Sequence, residues 1–160
     1  MPEVRPAAPP DAPLIFAMIR ELADYERLLH EAAARQEDIA AALFGAAPKV
    51  FCDIVEVGGA PVGFALWFYT FSTFRGRHGI YLEDLYVRPE HRGRGAGKAL
   101  IAGLARRCAA EGLARLDWAV LDWNAPSIAF YDNLGARPNA DWITYRLAGE
   151  PLRALAETEA

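Results

Sequence analysis

The sequence predicts a mixed α/β (α+β) fold in one domain spanning residues 1–160. Three observations point there. Helix-period apolar stripes and short β-rich runs succeed one another in the order β-α-α-β-β-β-α-β-α-β. Glycine or proline marks nearly every junction, yet no stretch is rich enough in either to form a linker. A chain that is 53% hydrophobic, with four tryptophans, carries enough apolar surface for one sizeable core.

The elements follow in chain order. Asp11 stands as a cap ahead of a helix reaching about Leu29, along which Leu14, Ile15, Met18, Ile19, Leu22 and Tyr25 recur at helical spacing. Residues 36–44 read as a short second helix stopped by Gly45. Residues 50–57 read as a strand, Gly58-Gly59 as a two-residue hairpin turn, and 61–68 as the partner strand. Residues 70–79 are polar and contain glycine, so a loop is expected. Residues 80–87 form the next strand, which Pro89 helps to stop. Gly95 or Gly97 then opens a helix to about Glu111, with Leu100, Ile101, Leu104 and Cys108 on one face and Gly112 at its end. Residues 115–121 read as a strand. Residues 125–134 read as a helix with Pro126 in its first turn, where a missing N–H costs little, and Gly135 closes it. Residues 142–147 make a last strand.

Charge and composition narrow the function. A net charge of −4 argues against a nucleic-acid binder driven by phosphate neutralisation. The Arg/Gly run near residue 93 has no interleaved aromatics, which argues the same way. Cys52 and Cys108 lie far apart in apolar neighbourhoods and read as reduced thiols; no Cys/His spacing suggests a metal. His30, His78 and His91 have no partner pattern and read as solvated or loop residues. The first residues, MPEVRPAAPPDAP, have no apolar signal-peptide core, and no run is long enough to span a membrane, so a cytoplasmic protein is expected.

The segment YLEDLYVRPEHRGRGAGKAL, residues 81–100, carries the chemistry. It sets two adjacent carboxylates, Glu83 and Asp84, on a strand, then a glycine turn feeding a helix. Free N–H groups and the helix dipole make such a turn an anion site, and glycine lets the backbone come close. A P-loop reading fails, because Arg92 stands at the first glycine position and Ala99 where a Ser or Thr hydroxyl is needed. A dinucleotide fingerprint, GxGxxG, fails at Lys98.

The pattern that remains is R-x-x-G-x-G from Arg92 to Gly97, between a strand and a helix. It resembles the pyrophosphate loop of the GCN5-related N-acetyltransferases (GNAT proteins). A later segment, residues 122–136 (DWNAPSIAFYDNLGA), resembles that family's N…A…FY…GA stretch. Alone, Asn124 is an ordinary helix cap and Tyr131, seven positions on, an ordinary core residue. Within the family, residues 19–26, 81–87 and 122–124 resemble the spermidine/spermine (diamine) N-acetyltransferase group. Residues 71–77 and 119–124 look closest to its thialysine N-epsilon-acetyltransferase branch. One departure stands out: the stretch between Gly135 and Trp142 is shorter than in the polyamine enzymes and retains only Asp141 as an acid.

The resemblance implies the GNAT fold, a mixed and mostly antiparallel sheet flanked by helices. It also implies transfer of an acetyl group from acetyl-CoA to a small amine, without a metal, nucleic acid or membrane, in a homodimer. Under it, the N–H groups of Gly93, Arg94, Gly95, Ala96, Gly97 and Lys98 surround the pyrophosphate, with charge from Arg92, Arg94 and Lys98. Leu85, Tyr86 and Val87 pair with the pantetheine arm as an added strand would, assisted by Asn124 and Ser127. An alkyl ammonium titrates near about 10, so at neutral pH a base must take its proton. Glu83 matches that position. Tyr131 matches the phenol that protonates the departing thiolate. Tyr25, Glu26, Glu83, Asp84, Asp117, Trp118 and Ala119 fall at substrate positions, although Asp24, Glu26 and Asp117 would serve equally as surface charges. Adjacent strand residues alternate, so Glu83 and Asp84 are expected on opposite faces of the sheet. Two rival readings are an acetyltransferase acting on a protein N-terminus or lysine, and a CoA-binding regulatory protein without turnover.

Overall fold

Strand pairing starts at the Gly58-Gly59 turn. Both glycines have positive φ, 60° and 77°, as a two-residue hairpin turn of mirror-image type demands. The turn sends β2 (Phe51–Val57) back as β3 (Ala60–Ser72), with Val57 opposite Ala60. The computed structural model describes residues 1–158. It resolves into two compact units, one from Met1 to Leu121 and one from Asp122 onward.

The first unit is a five-stranded sheet in the order β1-β2-β3-β4-β5. Its first strand is β1 (Pro2–Pro6), where two prolines in five positions obscure the alternating pattern. Proline is tolerated there because β1 is an edge strand, paired only with β2 from Pro2↔Val57 to Pro6↔Asp53. β4 (Arg77–Val87) runs antiparallel to β3, and the short β5 (Leu116–Trp118) runs parallel to β4. Residues 70–79 are therefore not a loop. The hairpin extends to Ser72 and Arg77, and Gly76 turns it with φ 60°.

Helix α1 (Ala12–Tyr25) ends earlier than the apolar pattern suggests. Arg27 takes a left-handed φ of 61°, and the Leu28 N–H closes back on the Ala23 carbonyl at 2.8 Å, a helix-ending geometry. Asp11 does not cap the helix with its side chain. It accepts a bidentate pair from Arg5 at 2.7 and 3.0 Å instead, tying β1 to the start of α1. Helix α2 (Gln36–Phe44) and helix α3 (Ala96–Glu111) match the expected spans, and Gly112 ends α3 with φ 65°. Ile15, Met18 and Leu22 of α1 pack with Leu43, Cys52, Ile54, Phe64 and Tyr86 in one buried cluster. Cys52 is a buried free thiol and Cys108 a half-buried one.

The second unit holds α4 (Ala125–Asn133) and α5 (Gly149–Ala156). Residues 142–147 were expected as a strand and are in no sheet. Trp142, Ile143, Tyr145 and Leu147 are 72%, 79%, 91% and 50% exposed. The sequence has strand composition, but a strand needs a ladder partner, and among the described residues none pairs with it. Among the described residues no helix is long and apolar enough to cross a membrane.

Candidate active site

In the first unit, the site grows from the point where β4 and β5 part. The β4–β5 ladder has three pairs and stops at Leu82↔Trp118. From there to Val87, β4 pairs with β3 alone, so the backbone of Leu85, Tyr86 and Val87 has one side without a strand. Gly63 lets the two strands close up there. A Cβ on Gly63 would collide with the Tyr86 carbonyl oxygen.

A β-bulge sits at the head of this open edge. Leu82 lies opposite Trp67 and Asp84 opposite Leu66, leaving Glu83 as the extra residue. The bulge interrupts the strict alternation on which opposite faces were expected. Glu83 is exposed and Asp84 half-buried, and the two charges repel. Burial first, and then the charges of Glu83 and Glu26, push the Asp84 carboxyl from 3.8 to about 7. Burial also raises Glu26, at the end of α1. Tyr81 is raised by burial and by Glu83 and Asp117. Glu26, Glu83 and Asp84 thus form one acidic cluster, suited to holding a cation or taking a proton. The remaining substrate candidates are less committed. Asp117 is held by Arg115 at 2.9 Å, Trp118 is half-buried on β5, and Ala119 is exposed just beyond it.

The glycine turn follows β4. Gly95 is the residue that opens α3, with φ 88°, and Gly93 has φ 71°. No side chain caps this helix end. Ala99 is the first residue to close back, onto the Gly95 carbonyl at 2.9 Å. The N–H groups of Ala96, Gly97 and Lys98 are therefore first-turn donors without intrahelical acceptors. A Cβ on Gly93 would meet nothing within 4 Å, so the turn opens outward. Arg94 and Lys98 are exposed beside it. This backbone concavity, with two cations and a helix dipole, fits a pyrophosphate.

Arg92 does something the sequence did not signal. Its Nε donates to the Val87 carbonyl at 2.7 Å, and its guanidinium lies over the rings of Tyr25 at 4.8 Å and Tyr86 at 5.6 Å. It fastens the glycine turn to the end of β4 and to α1. Arg88 reaches Glu21 of α1 at 2.9 and 3.2 Å, a second clamp between the same elements. The sequence suggests a solvated or loop His91, yet its Nδ1 is buried without a hydrogen-bond partner among the described residues.

The second unit supplies the other candidates. Asn124 is 5% exposed, and its side chain accepts the Ser127 N–H at 3.4 Å as the cap of α4. Pro126 fits the first turn, as expected. Tyr131, half-buried two turns along, lies 5.4 Å from the Phe130 ring. Gly135 follows with φ 86°. Among the described residues no group of His, Cys, Asp or Glu side chains is arranged to hold a metal.

Residues 15–136 match the model of the acetyltransferase (GNAT) family. The chain is 38% identical over 164 residues to thialysine N-epsilon-acetyltransferase of Sus scrofa, covering 96% of each protein. It is 27% identical to L-ornithine N5-acetyltransferase of Arabidopsis thaliana, over 95% of this chain and 86% of that protein. In three dimensions it is similar to an integron cassette protein from the mobile metagenome of V. cholerae, with a TM-score of 0.81, 25% identity and 98% of both chains covered.

Proposed function

Because the chain belongs to the acetyltransferase (GNAT) family, we propose that this acetyltransferase moves an acetyl group from acetyl-CoA to a primary amine of a small cationic molecule, of thialysine, diamine or polyamine type. The observation that carries the reading is the juxtaposition along one strand. The acidic cluster of Glu26, Glu83 and Asp84 stands at the bulge of β4, and an uncapped anion turn stands at its end. One end suits a cation and the other a pyrophosphate, with an unpaired strand edge between them.

Acetyl-CoA supplies the activated acyl group and a thiol leaving group. The chain's residues do the rest. The N–H groups of residues 93–98 hold the pyrophosphate, and the free edge of Leu85 to Val87 pairs with the pantetheine amides, assisted by Asn124 and Ser127. Glu83 takes the ammonium proton, exposing the nitrogen lone pair. The amine then attacks the thioester carbon directly in a ternary complex. As the C–S bond breaks, Tyr131 gives its proton to the sulfur, and its phenolate regains one from the nitrogen, which sheds its second proton to become the neutral amide. Asp84, Glu26 and Tyr25 hold a second cation of the acceptor, with Asp117, Trp118 and Ala119 lining its far side. The names of the relatives favour an ω-amine of an amino acid, and the acidic cluster accommodates a polyamine as well. The same proposal includes a cytoplasmic homodimer. The exposed apolar segment from Trp142 to Leu147, with strand composition and no ladder, is surface that a second copy would cover.

The test is thiol release from acetyl-CoA with thialysine, lysine, ornithine, putrescine, spermidine, spermine and a generic peptide, for wild type and Tyr131→Phe. Turnover on a small amine, lowered by about 10²-fold or more in the variant, supports the assignment. Turnover on the peptide alone, or none with acetyl-CoA bound, overturns it.

A further inference from the structure

A cavity of about 190 Å³ opens beside α3, away from the glycine turn. Its lining includes Phe51, Cys52, Asp53, Trp67, Tyr69 and Arg107. Arg107 lies eleven residues beyond Ala96, so about 16 Å along the helix from the anion turn. No residue of the proposed reaction lines it.

The walls are aromatic. Phe51 stacks on Trp67 at 4.8 Å, and Tyr69 stands edge-on to Trp67 at 5.2 Å and to Phe51 at 5.7 Å. Two opposite charges are set into that wall. The Trp67 indole N–H donates to one Asp53 oxygen at 3.0 Å, and the other oxygen receives no hydrogen bond among the described residues. Burial pushes the Asp53 carboxyl up, against smaller downward pulls from the Trp67 hydrogen bond and then from Arg107. Arg107 lies 4.9 Å over the Trp67 ring and spends one N–H on Glu111 at 3.0 Å. Glu111 also accepts the Tyr69 hydroxyl at 2.7 Å.

Glu111 is thus served twice, while Asp53 and Arg107 line one cavity, attract each other and form no direct ion pair. A half-satisfied carboxylate and a guanidinium with spare donors face a common half-open cleft of mixed polar and apolar lining. Each class of ligand can be weighed against that pair. A simple amine answers Asp53 and is repelled by Arg107. A simple carboxylate answers Arg107 and is repelled by Asp53. A neutral aromatic leaves both charges desolvated and unanswered. A molecule with an ammonium and a carboxylate a few ångströms apart, on an apolar body, answers both and uses the rings.

We propose that this cavity binds a free α-amino acid as its zwitterion, with the ammonium on Asp53, the carboxylate on Arg107 and an apolar side chain against Phe51 and Tyr69. Trp67 is also the β3 residue at which the β4 register shifts around Glu83. Trp67 is 2% exposed, so a ligand bears on it, and on the strand that carries the acidic cluster, through Phe51 and Arg107, which cover its ring.

The probes are norleucine and phenylalanine, which have no side-chain amine to serve as an acetyl acceptor. Their binding is followed by titration calorimetry and tryptophan fluorescence, beside butylamine and hexanoate, which keep one charge each. The expected result is one saturable site for a zwitterion, with both single-charge analogues at least about tenfold weaker. Asp53→Asn and Arg107→Gln should each weaken zwitterion binding by about tenfold or more, and Glu83→Gln should leave it unchanged. No saturation up to about 10 mM for either zwitterion overturns the proposal, and the cavity then holds water alone. So does equal binding of the single-charge analogues, which needs no variant to fold. Binding that survives both cavity substitutions, or is lost in Glu83→Gln, overturns it as well.

Discussion

Replacing Asp84 with asparagine should stabilise the protein, by an amount that grows with pH. In the folded chain Asp84 sits half-buried beside Glu83 and Glu26, with its carboxyl moved from 3.8 to about 7. Unfolding returns it to water and to its ordinary value. Between those two values the folded chain holds a proton that the unfolded chain has released. Wild-type stability therefore falls as pH rises from about 4 to about 7 and levels off above that. At about 1.36 kcal/mol per pH unit, the whole effect is about 4 kcal/mol. Asparagine keeps the shape and carries no charge, so it escapes this loss. Urea unfolding of both proteins at pH 5, 6, 7 and 8 measures the difference. The variant should gain about 2 kcal/mol on wild type between pH 5 and 7, and only a few tenths more by pH 8. Turnover should worsen in the same variant, with KM for the amine raised about tenfold, because a charged hydrogen bond to the acceptor is lost. A stability gap constant from pH 5 to 8 would refute the argument that burial and neighbouring acids strain this carboxylate.

Three further outcomes are expected. Gly95→Ala and Gly112→Ala both force a side chain into left-handed backbone, at φ 88° and 65°, and each should cost about 1–2 kcal/mol in urea unfolding; only Gly95→Ala should raise KM for acetyl-CoA, and a rise in both would detach the anion site from the start of α3. Arg88→Gln breaks the bidentate pair with Glu21 and should lower stability by about 0.5–1 kcal/mol at pH 7. Arg88 holds the Glu21 carboxyl below its usual range, so that contribution is present above the ordinary value of 4.5 and fades as pH falls; a thermal-melting difference undiminished at pH 3 would contradict it. Ile143→Lys with Tyr145→Lys should turn a dimer into a monomer in sedimentation velocity, and a wild-type protein that sediments as a monomer would remove the homodimer.

Much of the fold was legible because short-range rules governed it. The Gly58-Gly59 hairpin, the 36–44 helix, the Gly112 stop and the Asn124 cap each follow from two or three neighbouring residues. The hidden features were those that depend on distant partners. β1 carries two prolines that only an edge position excuses, and the edge is defined by β2, about fifty residues on. Arg27 ends α1 in a left-handed turn that no local glycine advertises. Residues 142–147 kept the strand pattern and formed no ladder.

The candidate site divides the same way. The sequence by itself determined which groups are present and where they come in the chain. It set an acidic strand, then a glycine turn, then a helix, because glycine spacing and helix ends are local physics. Tertiary structure decided how those groups behave. Pairing with β3 produced the bulge at Glu83, and the end of the β5 ladder at Leu82 left the β4 edge open. Burial, with the charges of Glu83 and of Glu26 just past the end of α1, carried Asp84 to about 7. Stacking on Tyr25 and Tyr86 made Arg92 a clamp as well as a charge. Desolvation, strand register and ring stacking are properties of surroundings that only the folded chain assembles.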